Sequence, residues 1–347
     1  MHHSPSIIGQ LQVAVIGTSG HASAELLKLL AEHPRVRITA LVTGSDAHVG
    51  KNMFSLPCER LEPAEIADRC DIAIAATPTE ASLHYVPGIL AEGKKCIDMS
   101  GAYRLPDPAL FKQHYGLDHT DPDNLKHAVY GLPELFRQKI RQAMLVANPG
   151  CYPTAVGLAV APALEQGIVD MQVPVIVRAT SGYSGAGVHY RPTGGTRPYK
   201  IARHQHAPEM AQLMNDYVLQ SGTQLSPVQV SFAPRINDDQ ERGIDADVSL
   251  LLNGEYDERV LQDMYQSYYH EEPFVSVVDR EPLLRDVVNG NGAQVAVWKE
   301  GSLLHVISVI DNLRKGAASQ AIQNLNLLCG FEETTGLPHM RVSSRGR

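Results

Sequence analysis

The chain has 347 residues, 44% of them hydrophobic and 20% charged, with a formal net charge of −8 at neutral pH. That length accommodates two domains with ordinary cores, and the acidic balance excludes nucleic acid as the main partner. No apolar run approaches the roughly 20 residues of a membrane span, and Met1 to Pro5 lacks a signal-peptide core, with His2 and His3 reading as a tail rather than a metal site.

Leu11 to Ile16 reads as a buried strand, followed by a glycine turn and a helix through Ala24, Leu26, Leu27, Leu29 and Leu30 that stops at His33-Pro34. Val36 to Val42 is a second strand and Asp71 to Ala76 a third. Thr79 to Glu92 is helix-prone but broken by Pro87-Gly88, Lys94 to Met99 is another strand, and Met144 to Ala147 a short one. Near-continuous apolar strands alternating with helices describe a doubly wound parallel sheet covered on both faces, a Rossmann-type α/β domain over residues 1–150. A mostly buried helix follows from Cys151 and closes at Gly167. The pattern then changes: Val173–Ala179, Val228–Ala233, Asp245–Leu252, Gln294–Trp298 and Leu303–Ile310 are strands, with helices at Glu209–Leu219 and Glu258–Tyr269. This half, 151–313, reads as an α+β domain with a mixed or antiparallel sheet. The last helix, Gly316 to Leu328, is apolar on one side, and the 314–330 segment is expected to pack back on the first domain.

Cys151 stands in Asn148-Pro149-Gly150-Cys151-Tyr152-Pro153-Thr154 at the start of a helix, with Pro153 suited to the first turn. Free N–H groups and the dipole favour an anion there, and thiols so placed can have pKa values lowered to about 3.5–7.5. The alternative is a buried structural cysteine. The other cysteines, Cys58, Cys70, Cys96 and Cys329, are dispersed without CxxC or disulfide-rich spacing, which suggests a reducing, cytoplasmic setting. Gly17-Thr18-Ser19-Gly20-His21-Ala22 follows the first strand and opens the first helix, where glycines admit a pyrophosphate. The spacing is GxxG, with Ser23 at the third small position. The second strand ends in Thr43-Gly44-Ser45 with no acid before Asp46, which favours NADP over NAD although no arginine is evident in the turn. Thr77 and Pro78, past the third strand, complete the expected cofactor contacts.

These stretches resemble the N-acetyl-gamma-glutamyl-phosphate reductase family. The similarity runs through Gly17–Leu27, Asp98–Leu105, Tyr130–Leu135, Ala147–Thr154, Ser181–Gly187, Pro198–Lys200 with His204–Glu209, Arg242–Ile244 and Asp311–Ala318. It implies an NADPH-dependent reduction of an acyl phosphate to a semialdehyde through a thioester on Cys151, within arginine biosynthesis, by a homo-oligomer (dimer or tetramer). It also implies that 151–313 is the catalytic and oligomerisation domain. A thiolate displaces phosphate, and the resulting thioester, unlike a carboxylate, accepts hydride. The resemblance favours His204 as acid/base with Tyr199 and Glu209 positioning it; His206 is the alternative, and either histidine could be a structural cap. No metal site is expected, since no cysteine or acid at ligand spacing accompanies the pair. Arg104 is the first choice for phosphate, with an ordinary surface ion pair as the alternative, and Arg191, Arg197 and Lys200 are weaker candidates. Asn148, Ser181, Ser184 and Gly185 are candidate substrate contacts, the last three in a stretch that could equally be a flexible loop. Asn291 falls where the family faces the nicotinamide, though a plain turn fits as well. The chain departs from the family at Ser23, at Val188, where a basic residue is common, and in the polar run Pro234–Asp239. The rival functions are a reductase of an aminoadipate-type acyl phosphate, a cysteine hydrolase or acyltransferase on a vestigial nucleotide fold, and a noncatalytic NADP-binding sensor.

Overall fold

The computed structural model describes residues 9–220 and 227–338; His2 and His3 lie outside them. Eight strands form the first sheet: β1 (Leu11–Ile16), β2 (Val36–Val42), β3 (Asn52–Met53), β4 (Leu56–Glu59), β5 (Ile72–Ala75), β6 (Lys95–Asp98), β7 (Val129–Tyr130) and β8 (Leu145–Ala147). Their order is β3-β4-β2-β1-β5-β6-β8-β7, parallel throughout except for the β3–β4 hairpin. The central strands are buried along most of their length, as near-continuous apolar runs require. Helices α1 (His21–Glu32), α2 (Pro63–Ala67), α3 (Thr79–Ala91), α4 (Pro108–Tyr115), α5 (Pro122–His127) and α6 (Pro133–Gln142) connect them.

Helix α7 (Cys151–Glu165) leads to the second sheet, β9 (Val175–Gly182), β10 (Thr196–Pro198), β11 (Val230–Asn237), β12 (Ile244–Leu251), β13 (Val275–Val277), β14 (Ala293–Glu300) and β15 (Leu303–Ile310). The order is β10-β11-β9-β12-β15-β14-β13, mixed, with β9–β11 and β13–β14 parallel. Helices α7, α8 (His206–Gln220) and α9 (Glu258–Tyr268) cover one face, and short α10 (Leu284–Val287) lies beside β15. Among the described residues no helix is long and apolar enough to cross a membrane.

Several elements differ from the sequence expectations. Helix α3 runs unbroken through Pro87-Gly88. A β-carbon on Gly88 would lie 2.5 Å from Pro63 Cβ, so the glycine marks close packing of α3 on α2 rather than a break. The strand expected to end at Ala179 continues to Gly182, which puts Ser181 on β9 instead of in the following loop, and β11 runs on through Pro234 to Asn237. Helices α2, α4, α5 and α6 went unread, yet each begins with proline at its first turn, a usable signal.

The final helix divides into a π-turn, Arg314–Ala318, and α11 (Ser319–Leu328). Helix α11 returns to the first sheet's side and packs on α1, α6 and β6. The two are tied by a fully buried pair: Lys315 Nζ lies 2.7 Å from both Glu134 Oε1 and Gln323 Oε1. Burial opposes the Glu134 charge, and Lys315 beside it holds the carboxyl below its ordinary range. Lys315→Met leaves that carboxylate without its counter-charge and should cost about 3–5 kcal/mol, read as a lower urea midpoint. Lys315→Met combined with Glu134→Met should recover much of the loss; a single variant with the original midpoint would overturn this account.

Candidate active site

The strand β8 ends at Ala147, and Asn148-Pro149-Gly150 turns directly into α7, delivering Cys151 to its first position. A cavity of about 630 Å³ opens over it, lined by Gly20, His21 and Ala22 from the start of α1, by Arg104, Asn148 and Cys151, by Ser181, Ser184 and Gly185, and by Tyr199, His204 and His206. The loops after β1 and β8 both sit at the carboxyl edge of the parallel sheet, and the turn between β10 and α8 closes the cleft from the second sheet's side. Ligands bind at that edge in open α/β folds.

Buried Glu209, in the first turn of α8, organises the centre. Its Oε1 accepts from the Gly150 N–H and from the Tyr130 hydroxyl, both at 2.8 Å, and its Oε2 lies 3.5 Å from Arg104 Nη1. His206 Nε2 stands 4.0 Å from Oε2, and a β-carbon on Gly150 would lie 2.5 Å from that same nitrogen. Tyr130 is a component that sequence reading quoted as a motif but gave no role.

The two histidines differ in what their nitrogens do. His204 Nδ1 accepts the His206 backbone N–H at 3.1 Å, which assigns its proton to Nε2, 3.3 Å from the Tyr199 hydroxyl. Tyr199 donates onward to Tyr152 (3.2 Å), and Tyr152 donates to the Arg235 carbonyl (3.0 Å). Both His204 nitrogens are therefore engaged. His206 has a buried Nδ1 with no partner among the described residues, and its Nε2 faces the start of α7. Burial, together with Arg104 and Lys200, pushes His206 well below the usual imidazole range, and burial with His206 and Lys200 pushes His204 down to about 3. Tyr199 thus stands with His204, whereas Glu209 stands with His206.

Cys151 departs from expectation. Burial drives its thiol up to about 11; the Tyr152 N–H and Arg104 favour the thiolate, Glu209 opposes it, and desolvation prevails. A helix N-terminus alone does not ionise a thiol removed from water. Gly316 of the π-turn backs the residue, since a β-carbon there would come within 2.9 Å of Cys151 Cβ.

The remaining candidates divide between the cleft and its supports. Arg104 lines the cavity, but its Nε donates to the Asn148 carbonyl and its Nη2 to that of Met99, both at 2.8 Å. Asn148 also braces inward, donating to the Ala317 carbonyl and accepting from Asn324. Ser184 Oγ accepts from Asn312 Nδ2 at 3.0 Å, and Asn312, a cavity residue given no role in advance, holds Gly243 N–H at 2.7 Å. Asn291 is buried apart from the cavity lining, its Nδ2 donating to the Pro338 carbonyl.

The dinucleotide loop meets a crevice between strand ends. Gly17 has φ +94°, and a β-carbon there would lie 2.3 Å from the Ala76 carbonyl oxygen and 3.1 Å from Thr77 Cγ2. That close approach leaves Thr18 to Ala22 over the α1 N-terminus, the shape a pyrophosphate needs. Thr18 Oγ1 contacts His48, Thr77 Oγ1 contacts Ser82, Pro78 caps α3, and Thr43 Oγ1 accepts the Ser45 N–H. Asp46 is paired with Arg60, which follows β4 and is brought beside the end of β2 by the β2–β4 pairing.

The chain matches the family model "Semialdehyde dehydrogenase, NAD binding domain" over residues 12–143 and "Semialdehyde dehydrogenase, dimerisation domain" over 151–312. It is 39% identical to the N-acetyl-gamma-glutamyl-phosphate reductase of Nitrosococcus oceani, covering 96% of this chain and 99% of that one. The chain belongs to the N-acetyl-gamma-glutamyl-phosphate reductase family. The relative from Methanosphaera stadtmanae is 38% identical over the same shares. The fold is also that of aspartate semialdehyde dehydrogenase II of Vibrio cholerae, with a TM-score of 0.71 at 18% identity, covering 92% of this chain and 98% of that one. The Candida albicans aspartate semialdehyde dehydrogenase, solved with NADP, gives 0.70 at 14% identity, covering 92% and 99%.

The high thiol pKa has a direct consequence. Alkylation of Cys151 by iodoacetamide, followed on its own peptide, should accelerate about tenfold per pH unit from pH 7 to 10, as a thiol titrating near 11 demands. A rate that levels off below pH 8 would contradict the dominance of burial.

Proposed function

We propose that the protein reduces N-acetyl-L-glutamyl 5-phosphate to N-acetyl-L-glutamate 5-semialdehyde and phosphate with NADPH, in arginine biosynthesis. The observation that carries this reading is the single cleft in which the start of α1, shaped for a dinucleotide, faces Cys151 and His206. The names of the full-length relatives supply the substrate.

Cys151 Sγ attacks the acyl carbon, forming the C–S bond as the C–O bond to phosphate breaks. His206 Nε2, neutral and free to accept, takes the thiol proton and passes it to the departing phosphate. The N–H groups at the start of α7 face the developing oxyanion. NADPH, when bound, supplies the hydride that turns the thioester toward aldehyde. Reprotonated from solvent, His206 returns a proton to sulfur as the aldehyde leaves. Glu209 fixes the α7 start through the Gly150 N–H, the ring of His206 packs against Gly150, and the His204–Tyr199–Tyr152 chain fixes the wall beside them.

The preference for NADP rests on the end of β2. Thr43, Ser45 and the Gly44 backbone offer donors, Asp46 is held by Arg60, and Arg60 brings a guanidinium suited to a 2′-phosphate. We read the setting as cytoplasmic from the five unpaired cysteines. A homo-oligomer is supported by the match of residues 151–312 to the semialdehyde dehydrogenase dimerisation domain.

The reverse reaction tests the proposal: N-acetylglutamate semialdehyde, NADP and phosphate should generate NADPH only when phosphate is present. Cys151→Ser should abolish turnover with folding and NADPH binding retained, and His206→Asn should lower kcat by about 10²–10⁴-fold while His204→Asn costs less. NADPH formation without phosphate, or turnover only with the aminoadipate analogue, would replace this reading. Arg60→Ala should weaken NADPH binding roughly 10–100-fold, as for a lost charged hydrogen bond, and leave NADH binding unchanged. Equal losses for both cofactors would remove Arg60 from the 2′-phosphate.

A further inference from the structure

The cleft is lined by three Lys or Arg side chains, Arg104, Arg197 and Lys200, and they differ in what they have left to give. Three of the five Arg104 N–H donors go to two carbonyls and to Glu209, whose carboxylate also balances its charge. Arg197 is paired with the buried carboxylate of Asp238, which also gathers Tyr190 and Thr193. Lys200 has no carboxylate within 4 Å among the described residues; its one polar contact is Gln205 Oε1 at a long 3.4 Å. An ammonium facing a cleft with two or three donors unspent is suited to an incoming anion.

A second observation concerns the backbone that carries it. Lys200 has φ +46° and Ala202 φ +57°, both in the short turn between β10 and α8. Non-glycine residues rarely adopt that conformation, and strain of this kind collects at ligand sites. The turn leads the chain from the rim at Tyr199 to the buried His204 and sets the lysine at the mouth, near enough for its charge to press on both histidines.

We propose that Lys200 is the specificity-determining residue that binds the substrate's α-carboxylate, the anion at the end remote from the reacting carbonyl. The inference rests on the substrate assigned above. A carbonyl held at Cys151 keeps its attached phosphate deep in the cleft, by the Asn148–Gly150 turn. The rest of the molecule then extends past the histidines toward the rim, where Lys200 stands.

Two measurements test it. The first needs no substrate: the rate of Cys151 alkylation by iodoacetate, an anion, is compared with that by neutral iodoacetamide. Lys200→Met should lower the iodoacetate-to-iodoacetamide ratio several-fold and Lys200→Arg should preserve it; an unchanged ratio in Lys200→Met overturns the anion site. The second uses the reverse reaction, in which carboxylate and phosphate arrive on separate molecules. Lys200→Met should raise KM for N-acetylglutamate semialdehyde roughly 10–100-fold, the span of a lost charged hydrogen bond, with KM for phosphate and the circular dichroism spectrum unchanged. A rise confined to phosphate overturns the carboxylate assignment. Failure of the unaltered protein to oxidise the aldehyde, with the alkylation ratio still falling in Lys200→Met, would overturn the proposed substrate while leaving the anion site in place.

Discussion

One buried carboxylate, Glu209, holds the catalytic half of the molecule in register. Through two oxygens it meets the Gly150 N–H, the Tyr130 hydroxyl, Arg104 and His206, groups drawn from β7, the loop after β6, the turn into α7 and the start of α8. The Gly150, Tyr130 and Arg104 donors share one buried acceptor, where such hydrogen bonds are strong and an unmade one is costly. The placement of Cys151 follows from this, since the N–H that Glu209 holds belongs to the residue before it. The carboxylate also explains why Gly150 is glycine: the ring of His206 occupies the space a side chain would need.

Behind that centre lies a second layer of buried polar groups. Helix α11 is apolar on the faces toward the sheet, yet Gln320, Gln323, Asn324 and Asn326 are buried as well. Gln320 and Asn324 both donate to the Gly131 carbonyl, and Asn324 reaches Asn148 just ahead of the nucleophile. Directional contacts of this sort favour one arrangement where an apolar interface would tolerate several, although Gln320 Oε1 and Asn324 Oδ1 have no partner among the described residues. They place the π-turn and Gly316 directly against Cys151. A π-turn at a functional position is a recurring device, because the extra residue lets backbone approach where a regular helix could not.

The two sheets are joined on the cofactor side by a separate ionic cluster. Arg242 Nη2 lies 2.6 Å from Glu25 of α1 and its Nη1 3.5 Å from Asp311, while Arg314 reaches the other Glu25 oxygen at 3.2 Å. Burial works against the Glu25 charge, and the bonds from Arg242 and Lys28 override it, holding the carboxyl at about 2. The helix that presents its N-terminus to a dinucleotide is thereby fixed to the domain that carries the thiol. Reactivity in the cleft is the counterpart of this packing. Burial raises the Cys151 thiol and lowers both histidines, so desolvation favours the neutral form of all three.

The sequence by itself determined the Rossmann-type half, the change to a mixed sheet, the GxxG turn and the helix-starting cysteine. These follow from local periodicity, glycine and proline placement, and capping chemistry, all carried by neighbours in the chain. It also brought His204, His206, Glu209 and Tyr199 to notice, and the structure gathers them around one cleft. Their pairing was decided by tertiary structure: Tyr199 meets His204 within the turn that precedes α8, while His206 and Glu209, one turn apart on α8, both face the start of α7. The same holds for Arg60, supplied to the end of β2 by a neighbouring strand, and for the thiol, whose ionisation depends on how much water the fold excludes. Such facts belong to contacts between residues distant in sequence, and no local pattern encodes a solvation energy.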